Sequence, residues 1–301
     1  MGYPAVVVCQ IPVFLSLPER TIGKGSMTLT LLSWNVNGLR ACYDRKYFLP
    51  AFRHNPGIVC VQETKAPAEK LPEKVRELYG YHTYFSAVRP GSIAGVGLFS
   101  RQKPLSVKFG FGDPQFDNAG RVLIADYGTF LLLNIYFPLG IKPMGNLDNK
   151  LRFYDAFLSY IQQVPTKDLP VIVCGDFNVA HTDKDLYNPP KKAVQQIGIS
   201  PEERGKIDCL IQLGFTDTFR MFHRESGHYT RWPFQQDARK KNYGWRLDYF
   251  FVNEPVRPYV LDAAIMPQYM GSDHCPVMLE INLPEKKVPH PVTKASSVPM
   301  A

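Results

Sequence analysis

No apolar run in this chain is long enough to cross a bilayer, so no transmembrane helix is expected. Residues 1–26 hold apolar patches at Val6–Val8 and Ile11–Leu17. They lack a basic start and are broken by Gln10, Pro12 and Ser16, a poor fit to a secretory signal. The six cysteines, Cys9, Cys42, Cys60, Cys174, Cys209 and Cys275, show no paired spacing. They resemble neither a disulfide framework nor a zinc site, and Cys60 and Cys174 sit inside apolar runs as buried thiols would. A reducing, intracellular setting is therefore expected. The glycines of GSIAGVG (91–97) are not followed by Gly-Lys-Ser/Thr, so close strand packing is expected there, not a phosphate loop. Acids are the scarcer charge, 27 against 35 Lys and Arg, for a net charge of +8. That balance favours a polyanionic partner, nucleic acid or an anionic membrane.

The 301 residues are 45% hydrophobic and 21% charged, enough for one large core. No repeat or linker interrupts Met27–Leu283. Residues 1–26 are expected to be an N-terminal extension, disordered or non-native, and 27–283 a single domain. Residues 284–301, with four prolines, three lysines and no apolar period, should be a disordered tail. Strands are predicted at Leu29–Trp34, Gly57–Gln62, His82–Ser86, Gly95–Ser100 and Leu105–Phe109. A hairpin of Arg121–Asp126 and Thr129–Tyr136 turns at Tyr127-Gly128. Further strands are 171–175, Arg246–Val252, Val260–Met266 and Pro276–Leu283. Helices are predicted at Tyr43–His54, at Glu69–Tyr79 with Gly80 as its cap, and at 148–162 with Asp148 as its cap. A fourth, 201–213, opens on a capping box of Ser200 and Glu203. The fold class is α/β: two packed mixed sheets flanked by helices.

The centre of the pattern is VIVCGDFNVAH (171–181). A buried apolar strand stops at Gly175 and delivers Asp176 and Asn178, with Phe177 turned back into the core. An Asx turn would produce the same local pattern. Yet other strand ends also carry polar groups: Asn35, Glu63, Tyr136, Asp248, and the Asp273-His274 loop. Such a set, mostly oxygen ligands with one imidazole, suits Mg²⁺ or Mn²⁺ rather than zinc. Glu63 is the best single ligand candidate, with a salt bridge to Lys65 as its plain alternative. His274 needs a partner to fix its tautomer, and Asp248 can supply that carboxylate. Tyr136 is either a hydroxyl donor to an anion or a core aromatic. Together these groups are what hydrolysis of a phosphate ester requires. Residues 231–246, RWPFQQDARKKNYGWR, interleave five basic residues with Trp232, Phe234, Tyr243 and Trp245, as a nucleic-acid surface would.

Six motifs then occur in order: LSWNVNGLRA (32–41), QETK (62–65), NIYFP (134–138), CGDFNVAH (174–181), GWRLDYF (244–250) and GSDHCP (271–276). Together they closely resemble the exonuclease III family of apurinic/apyrimidinic endonucleases, over Met27–Leu283. The resemblance implies a four-layered α/β sandwich that cuts double-stranded DNA 5′ to abasic or damaged sites as a monomer. It implies Mg²⁺ as cofactor, with Mn²⁺ as a substitute. On the matching residues, Glu63 would bind the metal, with Asn35 and Asp273 nearby. Asp176 would activate or orient water, helped by Asn178. His274, held by Asp248, and Tyr136 would contact the scissile phosphate. Trp245 would line the pocket for the flipped-out sugar. Arg40, Lys65, Arg121, Arg231 and Lys241 are implied DNA contacts.

Three positions depart from the family pattern: Leu139 replaces a usual Asn, Arg231 a frequent aromatic wall, and Ile93 a DNA-contacting Tyr. These bear on substrate preference among endonuclease, 3′→5′ exonuclease, 3′-phosphodiesterase and deoxyuridine incision. Rivals are a secreted deoxyribonuclease, an inositol-polyphosphate phosphatase or a sphingomyelinase of the same superfamily, or a DNA-binding protein without activity. WNVNGLRA and GWRLDYF favour the repair branch, and the intact Glu63, Asp176, Asn178 and His274 favour an enzyme.

Overall fold

Apolar runs such as 58–61 and 171–174 need cover on both faces, and the chain provides it by stacking two sheets between helices. A computed structural model describes residues 28–86, 93–141, 146–188, 198–234 and 237–284. The expected extension 1–26 and, apart from Pro284, the expected tail 284–301 lie outside the described residues, as do Gly91 and Ser92 of the glycine-rich run. The first sheet holds β1 (Leu29–Asn35), β2 (Ile58–Gln62), β3 (His82–Phe85), β4 (Val96–Ser100), β11 (Val260–Ile265) and β12 (Val277–Ile281). Its order is β11-β12-β1-β2-β4-β3. The second holds β5 (Ser106–Phe109), β6 (Val122–Asp126), β7 (Leu131–Tyr136), β8 (Val171–Asp176), β9 (Phe215–Asp217) and β10 (Asp248–Asn253). Its order is β5-β6-β7-β8-β10-β9. In each sheet one pair is parallel, β1 with β2 and β7 with β8.

Three apolar layers separate the four structural ones. Leu31, Ile58 and Leu98 of the first sheet meet Leu132, Ile172 and Phe250 of the second. The second sheet's outer face packs Leu133, Val171 and Val173 on Phe153, Phe157 and Ile161 of α3 (Leu147–Gln163) and Ile207 of α4 (Pro201–Gln212). The first sheet's outer face packs Trp34, Val59 and Phe99 on Cys42 and Phe48. Within this interior polar ties cross between the sheets, among them Tyr127 to Ser100 Oγ at 2.8 Å. Gln62 donates to Asn134 Oδ1 (2.7 Å), and Asn134 donates back to the Gly97 carbonyl (2.9 Å). Gly97 itself is needed for close packing, because a Cβ there would lie 2.8 Å from the Phe85 ring.

Several elements differ from their sequence readings. The helix expected over Tyr43–His54 is instead α1 (Leu39–Asp44) and a 3-10 turn at Leu49–Phe52. Pro50 has no N–H for an α-helical ladder. The helix expected over Glu69–Tyr79 is a 3-10 turn (Ala68–Lys70) and the single-turn α2 (Glu73–Arg76). Leu71 is extended before Pro72, as a residue preceding proline prefers. Gly80 sits beyond this helix in a turn at φ +78. Asn146, not Asp148, caps α3, accepting the Asn149 N–H at 2.7 Å. The α4 capping box of Ser200 and Glu203 is present. β9 and α5 (Thr218–Phe222) have no counterpart in the sequence reading, being too short to show a period.

Phe177 is fully buried against Phe137, with ring centroids 4.5 Å apart, and against Tyr249 and Phe251. Phe177→Ala should cost about 3–5 kcal/mol, the range for emptying a buried aromatic site. Urea denaturation measures it, and a loss under about 1 kcal/mol would show that this ring does not anchor the site loop.

Candidate active site

The two parallel pairings carry four strand ends to one edge. Asn35 lies opposite Gln62, which leads to Glu63, and Tyr136 lies opposite Asp176. Antiparallel β10 starts at this edge, placing Asp248 opposite Asp176. Gly175 makes the β7–β8 approach possible: its φ is +138, and a Cβ would lie 1.8 Å from the Ile135 carbonyl oxygen. The loop before β12 adds Asp273 and His274, held by Ser272 Oγ to the Asn35 carbonyl (2.7 Å) and by Trp34 Nε1 to the His274 carbonyl (3.1 Å).

A continuous polar chain joins these side chains. His274 Nδ1 meets Asp248 Oδ2 at 2.8 Å, and Thr230 Oγ1 donates to the same oxygen at 2.5 Å. His274 Nε2 then faces Asp176 Oδ2 across 3.9 Å. Asp176 accepts from Asn35 Nδ2 (2.8 Å) and from the Asn178 backbone (2.9 Å). The same Asn35 nitrogen donates to Glu63 Oε1 at 2.9 Å. Lys65 Nζ sits 2.9 Å from Glu63 Oε2 and donates to Asn37 Oδ1. Asn37 donates to Asp273 Oδ1 at 2.7 Å, and Arg231 Nε closes the chain 3.4 Å from Asp273 Oδ2. The Asx turn at 176–178 and the Glu63–Lys65 bridge are therefore both present, inside the cluster rather than instead of it.

The loop after β8 is fixed from below. Tyr154 donates to the Phe177 carbonyl (2.6 Å), Lys150 to that of Asn178 (2.7 Å) and Tyr249 to that of Val179 (2.8 Å). Lys150 is itself buried against Glu203 at 2.5 Å. Asn37, Glu63, Lys65 and Asn178 all have φ near +50, in the left-handed region that non-glycine residues rarely occupy. Such conformations persist where surrounding contacts enforce them, commonly at functional sites.

Burial pushes the Asp176 carboxyl up to about 7; Asp248 and Glu63 push the same way, against His274 and Asn35. Burial disfavours the His274 cation, but Asp248 and Asp176 outweigh it and hold the imidazolium up to about 10. Burial, with Glu63 and Asp176 beside it, raises Tyr136 well above the usual phenol value, so it stays a donor. Near neutrality the cluster thus pairs a carboxyl able to exchange a proton with a fixed cation.

The oxygen-rich donor set fits a hard cation. Glu63 and Asp176 share one amide nitrogen, and Asp248 Oδ1 is buried without a hydrogen-bond partner. The charged His274 is a poor ligand. Asn35 lies beside Glu63, its Nδ2 2.9 Å from Oε1. Its oxygen accepts the Asn37 N–H (3.0 Å), so it presents nitrogen, not oxygen, to the carboxylates. Asp273 lies at the far end of the chain, engaged by Asn37 and Arg231.

The expected DNA contacts divide. Arg121 is not a rim residue: its guanidinium lies 4.7 Å over the Tyr136 ring and donates to the Tyr136 carbonyl at 3.2 Å. Burial lowers its pKa, while Tyr136, Glu63 and Asp176 hold the charge in place. Lys65 and Arg231 border the cluster, and the Arg231 backbone bridges both Trp245 and His274. Trp245 packs on Ala180, Leu186, Ile199 and Leu247 with its ring partly exposed. Arg40 is exposed beside Asp44 and lines one cleft with Asn37 and Lys65, and Lys241 is exposed 6.0 Å above the Tyr243 ring. Trp232 is core, beneath Arg239 at 4.7 Å. Arg239 donates to the Pro267, Tyr269 and Ser272 carbonyls, and Arg246 is buried against Asp185 and Asp217. Those two basic residues of the 231–246 stretch are therefore structural. Leu139 and Ile93 are partly buried.

Residues 32–274 match the Endonuclease/Exonuclease/phosphatase family model. The chain is 40% identical over 256 residues to recombination repair protein 1 of Drosophila melanogaster, covering 85% of this chain and 37% of that protein. It is 37% identical over 257 residues to an exodeoxyribonuclease of Bacillus subtilis (strain 168), covering 85% of this chain and all of that one. An AP endonuclease structure from Archaeoglobus fulgidus superposes with a TM-score of 0.76 at 26% identity, covering 84% of this chain and 99% of that one. The chain belongs to the endonuclease/exonuclease/phosphatase family, within its branch of DNA repair nucleases of exonuclease III type.

Sequence reasoning passed over Asn37 and Thr230 as site residues. Asn37 stands in the WNVNG run, so its signal was present. Thr230 has no motif: it reaches Asp248 only through tertiary pairing. In metal-free protein His274 should stay protonated to about pH 10. Asp248→Asn removes its hydrogen-bonded counter-charge and should lower the NMR titration midpoint of that ring by about 1–3 pH units. An unmoved midpoint would show that Asp248 does not hold the charge.

Proposed function

We propose that this chain hydrolyses the phosphodiester bond 5′ to abasic sites in double-stranded DNA, with Mg²⁺ as its cofactor and Mn²⁺ as a substitute. The observation that carries the reading is the Asp176–His274 pair, 3.9 Å apart, with a carboxyl near 7 beside an imidazolium near 10. A carboxylate that titrates near neutrality is matched to taking a proton from attacking water. Its two hydrogen bonds, from Asn35 and the Asn178 backbone, orient it. An imidazolium that keeps its proton cannot be that base and instead offsets charge growing on the phosphate oxygens. Thr230 and Asp248 hold the ring in that role. Tyr136, protonated and covered by Arg121, donates to the same phosphate. Glu63 would hold the metal, with Asn35, Asp176 and Asp273 in the same chain of bonds. When bound, Mg²⁺ supplies further positive charge to the phosphate and its leaving oxygen. All these groups come from one chain, so a monomer suffices.

The Arg231 backbone pairs with Trp245 on one side and His274 on the other, and Arg231 with Trp245 would form the wall against which an extruded sugar rests. Arg231 also supports a second reading, removal of nucleotides or blocking groups from 3′ ends. A guanidinium is flexible, stacks on a base or pairs with phosphate, and leaves space that a rigid ring would fill.

Asp176→Asn and His274→Ala should each lower kcat by about a hundredfold or more while DNA binding survives. Near-parental turnover in either variant refutes the assignment. Glu63→Gln should raise the Mg²⁺ concentration for half-maximal rate, with partial rescue at saturation; an unchanged metal titration removes Glu63 from the metal. On a duplex panel with an abasic site, deoxyuridine or a 3′-blocked nick, Arg231→Phe should reduce cleavage of the base-bearing substrates relative to abasic DNA. One pocket contact, about 1–3 kcal/mol, shifts that ratio about tenfold or more. A uniform loss with a shallower salt slope would make Arg231 a phosphate contact only.

A further inference from the structure

A second group of metal-type ligands stands apart from the catalytic chain. His223, Glu225 and His228 follow α5 in the run His-Arg-Glu-Ser-Gly-His, and their ligand atoms lie within 4.8 Å of one another. His228 Nε2 is 2.9 Å from Glu225 Oε1, and His223 Nδ1 is 3.8 Å from the same oxygen. The side chains are 35%, 63% and 37% exposed in chain order, so an ion has access.

The tautomer of His223 is fixed by its other nitrogen. Nε2 lies 3.2 Å from the Ala263 carbonyl, which only accepts, so Nε2 carries the proton. In the neutral ring Nδ1 then presents a lone pair toward a carboxylate. Two acceptors facing each other repel unless a proton or a cation sits between them. A ligating imidazole that donates its second N–H to a backbone carbonyl is the usual outer arrangement of a metal-bound histidine. The rings are also braced: Phe219 stacks on His223 with centroids 4.4 Å apart and meets His228 edge-on at 5.4 Å.

The backbone between the ligands is tied at nearly every step. Arg220 donates to the carbonyls of His223 (3.0 Å) and Glu225 (2.6 Å). Lys184 donates to that of Arg224 (2.9 Å) and Asn242 to that of Gly227 (2.8 Å). Gly227, at φ +90, makes the turn that brings His228 back over His223. These ties order the loop before any ion arrives, which lowers the ordering cost of binding.

We propose that His223, Glu225 and His228 form a surface site for a borderline transition-metal ion of the Zn²⁺ class, with solvent at the fourth position. Two imidazoles and one carboxylate are a zinc donor set, and Mg²⁺ prefers oxygen. A tetrahedral ion about 2.1 Å from each ligand needs separations of about 3.4 Å, which these half-exposed side chains reach by small rotations. The site is independent of the nuclease reading, since none of its residues belongs to the catalytic chain.

The test is Zn²⁺ titration of the EDTA-stripped full chain by calorimetry, with Mg²⁺ in excess. The parent should bind one equivalent of Zn²⁺ that His223→Ala and His228→Ala each weaken by more than about tenfold, with Glu225→Gln weakened in the same direction. Zn²⁺ should also raise the parent's Tm by a few degrees at a hundredfold excess over Kd, and not that of His228→Ala. X-ray absorption of the Zn²⁺-loaded parent should show two imidazoles on the ion. Binding unchanged in both histidine variants, or a single imidazole, which the catalytic His274 alone would give, overturns the proposal.

Discussion

One amide nitrogen holds this structure's working end together. Asn35 belongs to the first sheet and Asp176 to the second, and Nδ2 of Asn35 bonds Asp176 while also bonding Glu63. Both acids are thus tied to a single donor at the line where the sheets meet. The Asn37 N–H on the Asn35 oxygen leaves the amide no second orientation that satisfies its partners. One buried layer deeper, Gln62 and Asn134 repeat the device, linking the same two sheets. Buried amides that bond across the interface fix how one sheet sits on the other, because any slip would strand polar groups in an apolar layer.

Crowding acids beside an imidazole is costly in a buried setting, and the cost shapes the chemistry. Isolated carboxylates at this depth would simply protonate. Asp176 stops partway, near 7, because His274 and Asn35 oppose its desolvation. His274 is driven to about 10 because three aspartates face it. Neither value belongs to one residue alone; each exists because the other group is there. The supports behind them, Thr230 on Asp248 and Lys150 under Asn178, are as buried as the reacting groups, so the geometry does not depend on solvent.

Much of this was legible in the chain itself. Strands buried on both faces announce themselves as apolar runs, and 171–174 delivered Asp176 where expected. The pairing of His274 with Asp248 was readable because a histidine needs a tautomer partner and an acid stood at the start of β10. Orientation was not readable. Nothing in the order of residues tells that Asn35 turns its nitrogen to the acids, or that Arg121 lies over the Tyr136 ring. Helices with prolines also misled, since apolar spacing at Leu71 and Val75 persists where Pro72 breaks the helix. Thr230 was invisible because a hydroxyl has no pattern until the fold places it.

The backbone carries the last part of the design. A strand points its side chains to alternate faces, so a residue at its end aims at the core or at solvent, seldom along the sheet edge. Glu63 and Asn178 leave that alternation through left-handed φ values, as do Asn37 and Lys65 beside them. The turned side chains bond across the open ends of the strands: Glu63 takes the Asn35 amide, Asn37 donates to Asp273, and Asn178 donates to the Phe137 carbonyl. The strain this costs, of order 1–3 kcal/mol per residue, is held by bonds that only the turned backbone can make. Asp176 accepts the Asn178 N–H, and the Asn178 carbonyl takes Lys150. Asparagine suits two of these places because it tolerates the left-handed region better than most residues. Glu63 and Lys65 do not share that tolerance, so contacts must hold their turns: Lys65 Nζ lies 2.9 Å from Glu63 Oε2, and Glu63 Oε1 takes the Asn35 amide at 2.9 Å.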